Sequence, residues 1–168
     1  LGIIGFGRIG QALAKLAIGA GMRVVFSDMH NEDVEVSLDF FDGQSATFTC
    51  KNVGFEGVLA ESDFISLHVP GGDLIGEAEL AKMKDGVFLL NAARGGVINE
   101  EALLDALESG KLAGAGLDVF KNEPTPAIKV LMNGKISLTP HIGAATGEAQ
   151  DRIGTELAAH IDALAAEA

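Results

Sequence analysis

The chain has 168 residues, the size of one ordinary domain, and is long enough to bury a substantial core. Its 24 acidic and 12 basic residues give a formal charge of -12 at pH 7, which disfavours nucleic acid or an anionic membrane as the main partner. Although 48% of the residues are hydrophobic, charged residues interrupt every long apolar run, so none reaches the roughly 20 residues that cross a bilayer. We therefore expect a water-soluble protein.

Cysteine content and the first residues bear on where the protein works. The single cysteine, Cys50, cannot form an internal disulfide, which is compatible with a reducing cytosol and favours a small core residue over a nucleophile. The chain begins at Leu1, without an initiator Met, directly in an apolar stretch and without a recognisable signal peptide. We therefore expect a fragment or excised domain of a cytoplasmic protein.

Apolar runs alternate with helical patterns along most of the chain. This alternation is typical of parallel crossover units, whose buried strands need no polar alternation. Helices are expected through residues 12–17, over 77–83, from the cap Asn99 to Gly110, and after Thr146. Strands are expected at residues 1–5, 22–27, 64–68, 86–91, 114–119 and 136–139. The sequence thus predicts an α/β fold, a doubly wound parallel sheet with helices on both faces.

Two segments are harder to interpret. Alternating apolar residues over 34–40 predict a strand, but residues 46–50 offer a competing one within the poorly patterned stretch 29–57. In the final helix an apolar stripe recurs at helical spacing, which fits packing against the domain itself better than a partner-binding role. The stripe consists of Ile153, Leu157, Ile161 and Leu164.

The sequence Gly-Phe-Gly-Arg-Ile-Gly at residues 5–10 follows the first apolar strand and opens a helix. In a dinucleotide-binding site of the Rossmann type, Gly5 permits the tight turn, Gly7 lets the backbone approach a pyrophosphate, and Gly10 allows close packing of the helix on the strand. Backbone N–H groups at the helix start, at Arg8 and Ile9, then face the phosphates. The alternative is a glycine-rich turn without a ligand.

Asp28 lies at the end of the second predicted strand, about 20 residues beyond the glycine motif. A carboxylate at this position accepts hydrogen bonds from the adenosine ribose hydroxyls and repels a 2′-phosphate. No arginine follows over residues 29–31 to offset that repulsion. The sequence therefore favours NAD over NADP, the alternative being an aspartate that caps a helix or turn.

Three further motifs occur in order after the glycine motif. They are Asn-Ala-Ala-Arg-Gly-Gly at 91–96, Leu-Asp-Val-Phe-Lys-Asn-Glu-Pro at 117–124 and Thr-Pro-His-Ile-Gly at 139–143. Together the four motifs resemble those of the NAD-dependent D-2-hydroxyacid dehydrogenases and span nearly the whole chain. The resemblance implies an oxidoreductase that transfers hydride between NAD and a small 2-hydroxy or 2-oxo acid, with residues 1–168 as its dinucleotide-binding domain. It also implies a homodimer, since the family pairs through this domain.

The resemblance implies a catalytic role for three residues. Arg94 would hold the substrate carboxylate through paired hydrogen bonds, a geometry that lysine cannot supply. His141 would exchange a proton with the substrate oxygen, and Glu123 would pair with His141, raising its basicity and orienting its ring. Taken singly, each has a commoner alternative: a surface ion pair, a solvated loop carboxylate or a turn histidine.

The resemblance also implies which residues contact the cofactor. Asp118 would lie near the nicotinamide carboxamide, with local hydrogen bonding to backbone as its alternative. His68 would lie beside the cofactor without transferring protons, whereas His30 and His160 are expected to be surface residues. No metal site is expected. The full set is Gly5, Gly7, Arg8, Ile9, Gly10, Asp28, His68, Val69, Pro70, Ala92, Ala93, Arg94, Asp118, His141 and Gly143.

Residues 143–150, after the histidine, resemble the phosphoglycerate dehydrogenase branch of the family, which would make the substrate 3-phosphoglycerate and place the protein in serine biosynthesis. Three departures from the family pattern stand beside this likeness. The substrate-binding lobe that normally precedes this domain is absent, the loop after Pro70 is short, and residues 31–54 do not resemble the usual third crossover. An NAD-binding module or sensor without turnover therefore remains an alternative, as does a purely structural α/β domain.

Overall fold

In the computed structural model, residues 1–29 and 32–166 are described. Eight strands form, at β1 (Gly2–Ile4), β2 (Val25–Ser27), β3 (Val34–Asp39), β4 (Ser45–Asn52), β5 (Phe64–Leu67), β6 (Val87–Asn91), β7 (Leu112–Leu117) and β8 (Ile136–Leu138). The helices are α1 (Arg8–Gly19), α2 (Gly54–Glu61), α3 (Glu77–Lys82), α4 (Glu100–Glu108), α5 (Ile128–Leu131) and α6 (Gly147–Ala166). Each strand and helix expected outside residues 29–57 is present, with its ends shifted by a few residues.

One sheet contains all eight strands, in the order β3-β4-β2-β1-β5-β6-β7-β8. Every neighbouring pair from β4 to β8 is parallel, so the predicted α/β fold and its parallel sheet are confirmed. The edge pair is the exception, because β3 runs antiparallel to β4. The sheet is therefore mostly rather than wholly parallel.

The two competing strand candidates within residues 29–57 both form, and they pair with each other. Val34 lies opposite Cys50 and Asp39 opposite Ser45, so the two segments make one hairpin. At its turn the Phe40 N–H donates to the Gln44 carbonyl at 2.8 Å, and Gly43 takes a positive φ of 83°. Treating the segments as alternatives was wrong, since an antiparallel hairpin needs two adjacent strands with this patterning. The expectation for His30 falls outside the described residues.

Side chains of alternate residues enter two separate cores. Ile4 points into the larger core with α2, α3 and α4, whereas Ile3 points to the opposite face, where α1 packs against β2, β3 and β4. This division places helices on both faces, as predicted. Cys50 is buried in the smaller core, as expected of a small core residue.

Helix α1 covers only part of its face of the sheet. Phe64 on β5 and Phe88 on β6 are register partners, and their rings stack with centroids 5.1 Å apart. Both rings, together with Leu90, remain about two-fifths exposed, at 39%, 41% and 38%. Their neighbours in sequence, Ile65 and Leu89, point into the larger core. The uncovered patch therefore lies on the α1 face.

Helix α6 does not pack as the sequence indicated. None of its residues 147–166 is buried, and the apolar stripe remains 53% exposed at Ile153 and 69% at Leu164. The expectation that this stripe packs on its own domain is therefore wrong. Helical spacing specifies an apolar face, but the surface that covers it depends on where the preceding loop directs the helix. His160, on α6, is exposed as predicted.

Local signals set the start of α4. The Asn99 side chain accepts hydrogen bonds from the backbone N–H groups of Glu101 and Ala102, each at 3.1 Å. Glu100 and Glu101 occupy the first turn, where acidic side chains oppose the helix dipole.

Within residues 1–29 and 32–166, no helix combines the length and the apolar character that crossing a membrane requires.

Two leucines on helices allow a matched test of the core. Leu103 on α4 is fully buried, whereas Leu16 on α1 is 73% exposed. Leu103→Ala should lower the free energy of unfolding by about 2–5 kcal/mol, because it leaves a cavity in the larger core. Leu16→Ala should change it by less than about 0.5 kcal/mol. Urea unfolding followed by circular dichroism measures both, and equal losses would contradict this assignment of the core.

Candidate functional site

The predicted site residues follow the carboxyl ends of adjacent parallel strands. Across the sheet these ends carry, in order, Asp28 after β2, Gly5 after β1, His68 after β5, the 92–94 loop after β6, Asp118 after β7 and His141 after β8. In open parallel α/β sheets this edge is where ligand crevices form. The topology thus brings residues that lie far apart in the sequence to one side of the molecule.

Three glycines shape the loop between β1 and α1. Gly5 has a φ of 90°, and a Cβ there would lie 2.5 Å from the His68 carbonyl oxygen, so only glycine fits. A Cβ on Gly10 would collide with the Gly5 carbonyl oxygen, which agrees with close packing of helix on strand. At Gly7 a Cβ would meet no atom within 4 Å, so the backbone there faces open space. The loop therefore has the shape that a pyrophosphate site requires.

Asp28 secures this loop from the neighbouring strand. Its Oδ2 accepts a hydrogen bond from the Phe6 N–H at 2.6 Å, and the Gly5 N–H donates to the Ser27 carbonyl at 2.9 Å. The half-buried carboxylate therefore sits at the first turn of the glycine loop. This is the place from which a carboxylate reaches a ribose bound beside that loop.

A cleft of about 690 Å³ lies between the glycine loop and the start of α6. It brings together six of the predicted cofactor residues, Gly7, Arg8, Ile9, Gly10, His68 and Gly143. The His68 ring is held by a 2.9 Å hydrogen bond between its Nε2 and the Ser66 hydroxyl. Burial lowers the pKa of His68, which favours a neutral imidazole at the wall of the cleft.

Arg8 is paired across this cleft with Glu156 of α6. Its Nη2 lies 2.7 Å from Glu156 Oε1, and its Nη1 lies 3.0 Å from Oε2, so the contact is bidentate. The pair raises the pKa of Arg8 and lowers that of Glu156. Both side chains are exposed, so water and salt screen the interaction. Glu156 gave no local signal in the sequence, because the contact depends on where α6 lies.

Asn91 shapes the loop that carries Arg94. Its Nδ2 donates to the Arg94 carbonyl at 3.0 Å, and its Oδ1 accepts from the Ala93 N–H at 3.1 Å. The exposed Arg94 side chain donates from Nη1 to the Ala93 carbonyl at 2.7 Å. Ala92 is exposed and Ala93 is buried. The guanidinium is thus presented to solvent from a loop that a buried side chain holds.

His141 and Glu123 form a close pair on the loops after β8 and β7. The His141 Nδ1 lies 2.7 Å from Glu123 Oε2, and Glu123 Oε1 accepts from the Phe120 N–H at 2.9 Å. The hydrogen bond from His141, followed by that from Phe120, lowers the pKa of Glu123. The His141 side chain is 48% exposed, so its ring can be reached from solvent. The predicted pairing of these two residues is present.

Asp118 binds its own protein more extensively than the sequence indicated. It is 7% exposed, and its oxygens accept hydrogen bonds from the Thr139 hydroxyl at 2.6 Å and from the Ile142 and Gly143 N–H groups at 2.9 Å. Burial raises the pKa of Asp118, but these three hydrogen bonds outweigh it and leave the pKa lowered. These contacts are the local bonding that the sequence left as the alternative, and contact between Asp118 and a nicotinamide carboxamide stays a prediction.

The other predicted residues lie on the same loops outside the cleft lining. Val69 and Pro70 follow His68. The loop that they form passes close to Gly5, since a Cβ added to Gly5 would lie 3.2 Å from the backbone N of Val69. Three supporting residues were not predicted from the sequence: Ser66, one residue before the end of β5, Asn91 at the end of β6, and Thr139 at the start of the 139–143 motif. Among residues 1–29 and 32–166, no group of His, Cys, Asp and Glu could hold a metal ion.

Comparison with known proteins places this geometry in a family. Residues 1–143 match the family described as D-isomer specific 2-hydroxyacid dehydrogenase, NAD binding domain. The chain is 44% identical over 164 residues to a hydroxypyruvate reductase from Thermotoga maritima, covering 94% of this chain and 50% of that protein. It is 40% identical over 162 residues to D-3-phosphoglycerate dehydrogenase from Mycobacterium leprae, covering 94% of this chain and 29% of that protein.

A solved relative has the same fold and a bound cofactor. D-lactate dehydrogenase from Aquifex aeolicus, in complex with NAD and lactic acid, superposes with a TM-score of 0.74 at 32% identity, covering 99% of this chain and 53% of that one. The chain thus spans half or less of the length of the two curated relatives. The predictions of the family and of NAD as cofactor are confirmed.

The Arg8–Glu156 pair generates a test on cofactor affinity. If Arg8 contacts the cofactor phosphates as predicted, Glu156→Gln removes a carboxylate that competes with them, so NADH should bind about twofold to fivefold tighter at low salt. Glu148→Gln, on the same helix but outside the cleft, is the matched control. Titration of NADH fluorescence measures both. Weaker binding by Glu156→Gln would show that the carboxylate assists the cofactor instead.

Proposed function

Because the chain belongs to the D-isomer specific 2-hydroxyacid dehydrogenase family, we propose that it is the cofactor-binding part of an NAD-dependent oxidoreductase. The enzyme would act on the CH–OH group of a D-2-hydroxy acid, or in reverse on the corresponding 2-oxo acid. The observation that carries this proposal is the His141–Glu123 pair, 2.7 Å apart at the carboxyl edge of the sheet. A substrate-binding lobe outside residues 1–168 would complete the site.

The glycine loop suits the cofactor that the family implies. Open space at Gly7 leaves room for a pyrophosphate, and the N–H groups of Arg8 and Ile9 begin α1, where the helix dipole favours an anion. Asp28 would receive the ribose hydroxyls. NAD supplies the hydride acceptor in oxidation, and NADH the donor in reduction.

His141 would exchange the proton that hydride transfer leaves on the substrate oxygen. In oxidation the imidazole accepts the hydroxyl proton, and in reduction the imidazolium donates one to the forming alkoxide. Glu123 bonds to Nδ1, which directs the other ring nitrogen away from Glu123. The pair thus leaves Nε2 to face the substrate oxygen.

Arg94 would position the substrate. Its guanidinium can form two parallel hydrogen bonds to the carboxylate adjoining the reacting carbon. The bond from Nη1 to the Ala93 carbonyl restrains the side chain while leaving it exposed at the edge of the sheet. Binding the carboxylate at a fixed place limits the orientations of the reacting C–H bond.

For the substrate itself we propose 3-phosphoglycerate, on the strength of the sequence at 143–150. Relatives of nearly equal identity are named for hydroxypyruvate and for phosphoglycerate. A substrate panel should therefore include hydroxypyruvate and glyoxylate beside the phosphorylated acid.

We also propose a cytoplasmic homodimer. The uncovered patch of Phe64, Phe88 and Leu90 supports burial of this sheet face in an assembly.

Cofactor choice is tested by titrating the chain with NADH and with NADPH. The chain has no Trp or Tyr, so nicotinamide fluorescence meets little protein background. NADH should saturate the site, and NADPH should bind about tenfold or more weakly because Asp28 repels its 2′-phosphate. Asp28→Asn keeps an acceptor for Phe6 and should narrow the difference, whereas Asp85→Asn at the opposite edge should not. Equal affinities in the native chain would contradict the role of Asp28.

Turnover tests the proton-transfer pair. His141→Ala should lower kcat by about 100-fold to 10,000-fold, the range that general acid–base catalysis contributes. Glu123→Gln should lower kcat less, because the His141 ring keeps a hydrogen-bond partner, although that partner is no longer negatively charged. Oxidation and reduction are followed through NADH absorbance over the substrate panel, with Asp85→Asn as control. Turnover is measured on the protein that includes the substrate-binding lobe, and a protein with that lobe that binds NADH yet turns over none of the acids would be an NAD-binding module instead.

A further inference from the structure

The loop that carries His141 is attached to Asp118 on both sides of the histidine. The Thr139 hydroxyl and the Ile142 N–H donate to Asp118 Oδ1 at 2.6 and 2.9 Å, and the Gly143 N–H donates to Oδ2 at 2.9 Å. The three donors thus lie at positions -2, +1 and +2 relative to His141. One carboxylate therefore fixes the path of the backbone through this residue.

His141 needs such a restraint. Its φ is 55°, in the left-handed region, and among the described residues it is the one non-glycine residue with a positive φ. A free loop would relax toward more favourable backbone angles and carry the imidazole away from Glu123. The approach of the loop is also close, because a Cβ on Gly143 would lie 3.1 Å from Asp118 Oδ2.

Asp118 is itself fixed to the sheet. Its N–H donates to the Asn91 carbonyl at the end of β6 at 2.9 Å, and its side chain is nearly fully buried. We propose that Asp118 is a positioning residue that holds His141 against Glu123, a role that rests on the proposed function of that pair. In this role Asp118 acts through the 139–143 loop.

The direction in which the pKa of Glu123 changes distinguishes this positioning role from a purely electrostatic effect of the Asp118 charge. Glu123 faces His141, the Phe120 N–H and, at longer range, the Asp118 carboxylate, which raises its pKa. Removing the charge of Asp118 alone would therefore lower the pKa of Glu123. Releasing His141 would raise that pKa, because the hydrogen bond from His141 is the main cause of its low value.

The experiment is a carbon NMR titration of the 168-residue chain with isotope-labelled glutamate carboxyls. The Glu123 signal is assigned by its loss in Glu123→Gln. In Asp118→Asn the amide NH₂ faces the Gly143 N–H, donor against donor, so the loop should loosen and the Glu123 pKa should rise.

Two further variants complete the test. Thr139→Val removes one donor and leaves the charge of Asp118 in place, so it should raise the Glu123 pKa by a smaller amount even if Asp118→Asn fails to fold. Asp85 is an exposed aspartate at the opposite edge of the sheet, so Asp85→Asn should leave the Glu123 pKa unchanged. A folded Asp118→Asn with an unchanged or lowered Glu123 pKa would overturn the proposal, as would an unchanged pKa in Thr139→Val. The titration requires no substrate, so its result stands apart from whether the chain catalyses turnover.

Discussion

The parallel pairing of the strands from β2 to β8 is the constraint on which the rest of this structure depends. Because their directions agree, their carboxyl ends meet at one edge, and each following loop brings a different part of the sequence there. The same edge thus carries the glycine loop (residues 5–10), the loop of Arg94 and the loop of His141, although more than a hundred residues separate the first from the last. The helices pack on the faces and leave this edge open.

The edge must accept an anionic cofactor on a protein with a formal charge of -12. Net charge sets the field at a distance, whereas the phosphate site depends on groups within a few ångströms. In the proposed site those groups would be the first N–H groups of α1 and the Arg8 guanidinium, which lies beside the Glu156 carboxylate. Asp28 would add a negative charge at the ribose end of the same loop, so the local charges would select the form of the cofactor as well as attract it.

The sequence predicts this structure wherever local patterning determines it. Buried parallel strands read as apolar runs, and Asn99 at the start of α4 is a local cap that needs no tertiary information. It does not predict contacts that depend on which surface an element packs against. Residues 34–40 and 46–50 each read as a strand, but no local feature shows that they pair with each other. The stripe on α6 likewise gives no indication of what covers it.

The same distinction applies to the site. The motifs predicted Arg94, Glu123 and His141 as site residues because their residue types suit the chemistry, and the structure places Glu123 beside His141. For Asp118 the motif predicted only a place near the cofactor, and it gave no sign of the three hydrogen bonds to residues 21 to 25 positions further along the chain. Bonds over such distances depend on the register between β7 and β8, in which Leu117 pairs with Leu138. A motif can therefore name a functional residue without revealing which part of the site it supports.

Asn91 shows why the reacting groups can share one geometry. This residue is 2% exposed at the end of β6; its side chain holds the Arg94 loop, and its carbonyl accepts the Asp118 N–H. The group proposed to bind the substrate carboxylate and the loop that carries the proposed base are therefore anchored to one strand end. Catalytic groups on separate flexible loops would vary in separation, and small displacements cost rate. With a common rigid anchor, the separation between Arg94 and His141 depends on the sheet more than on either loop.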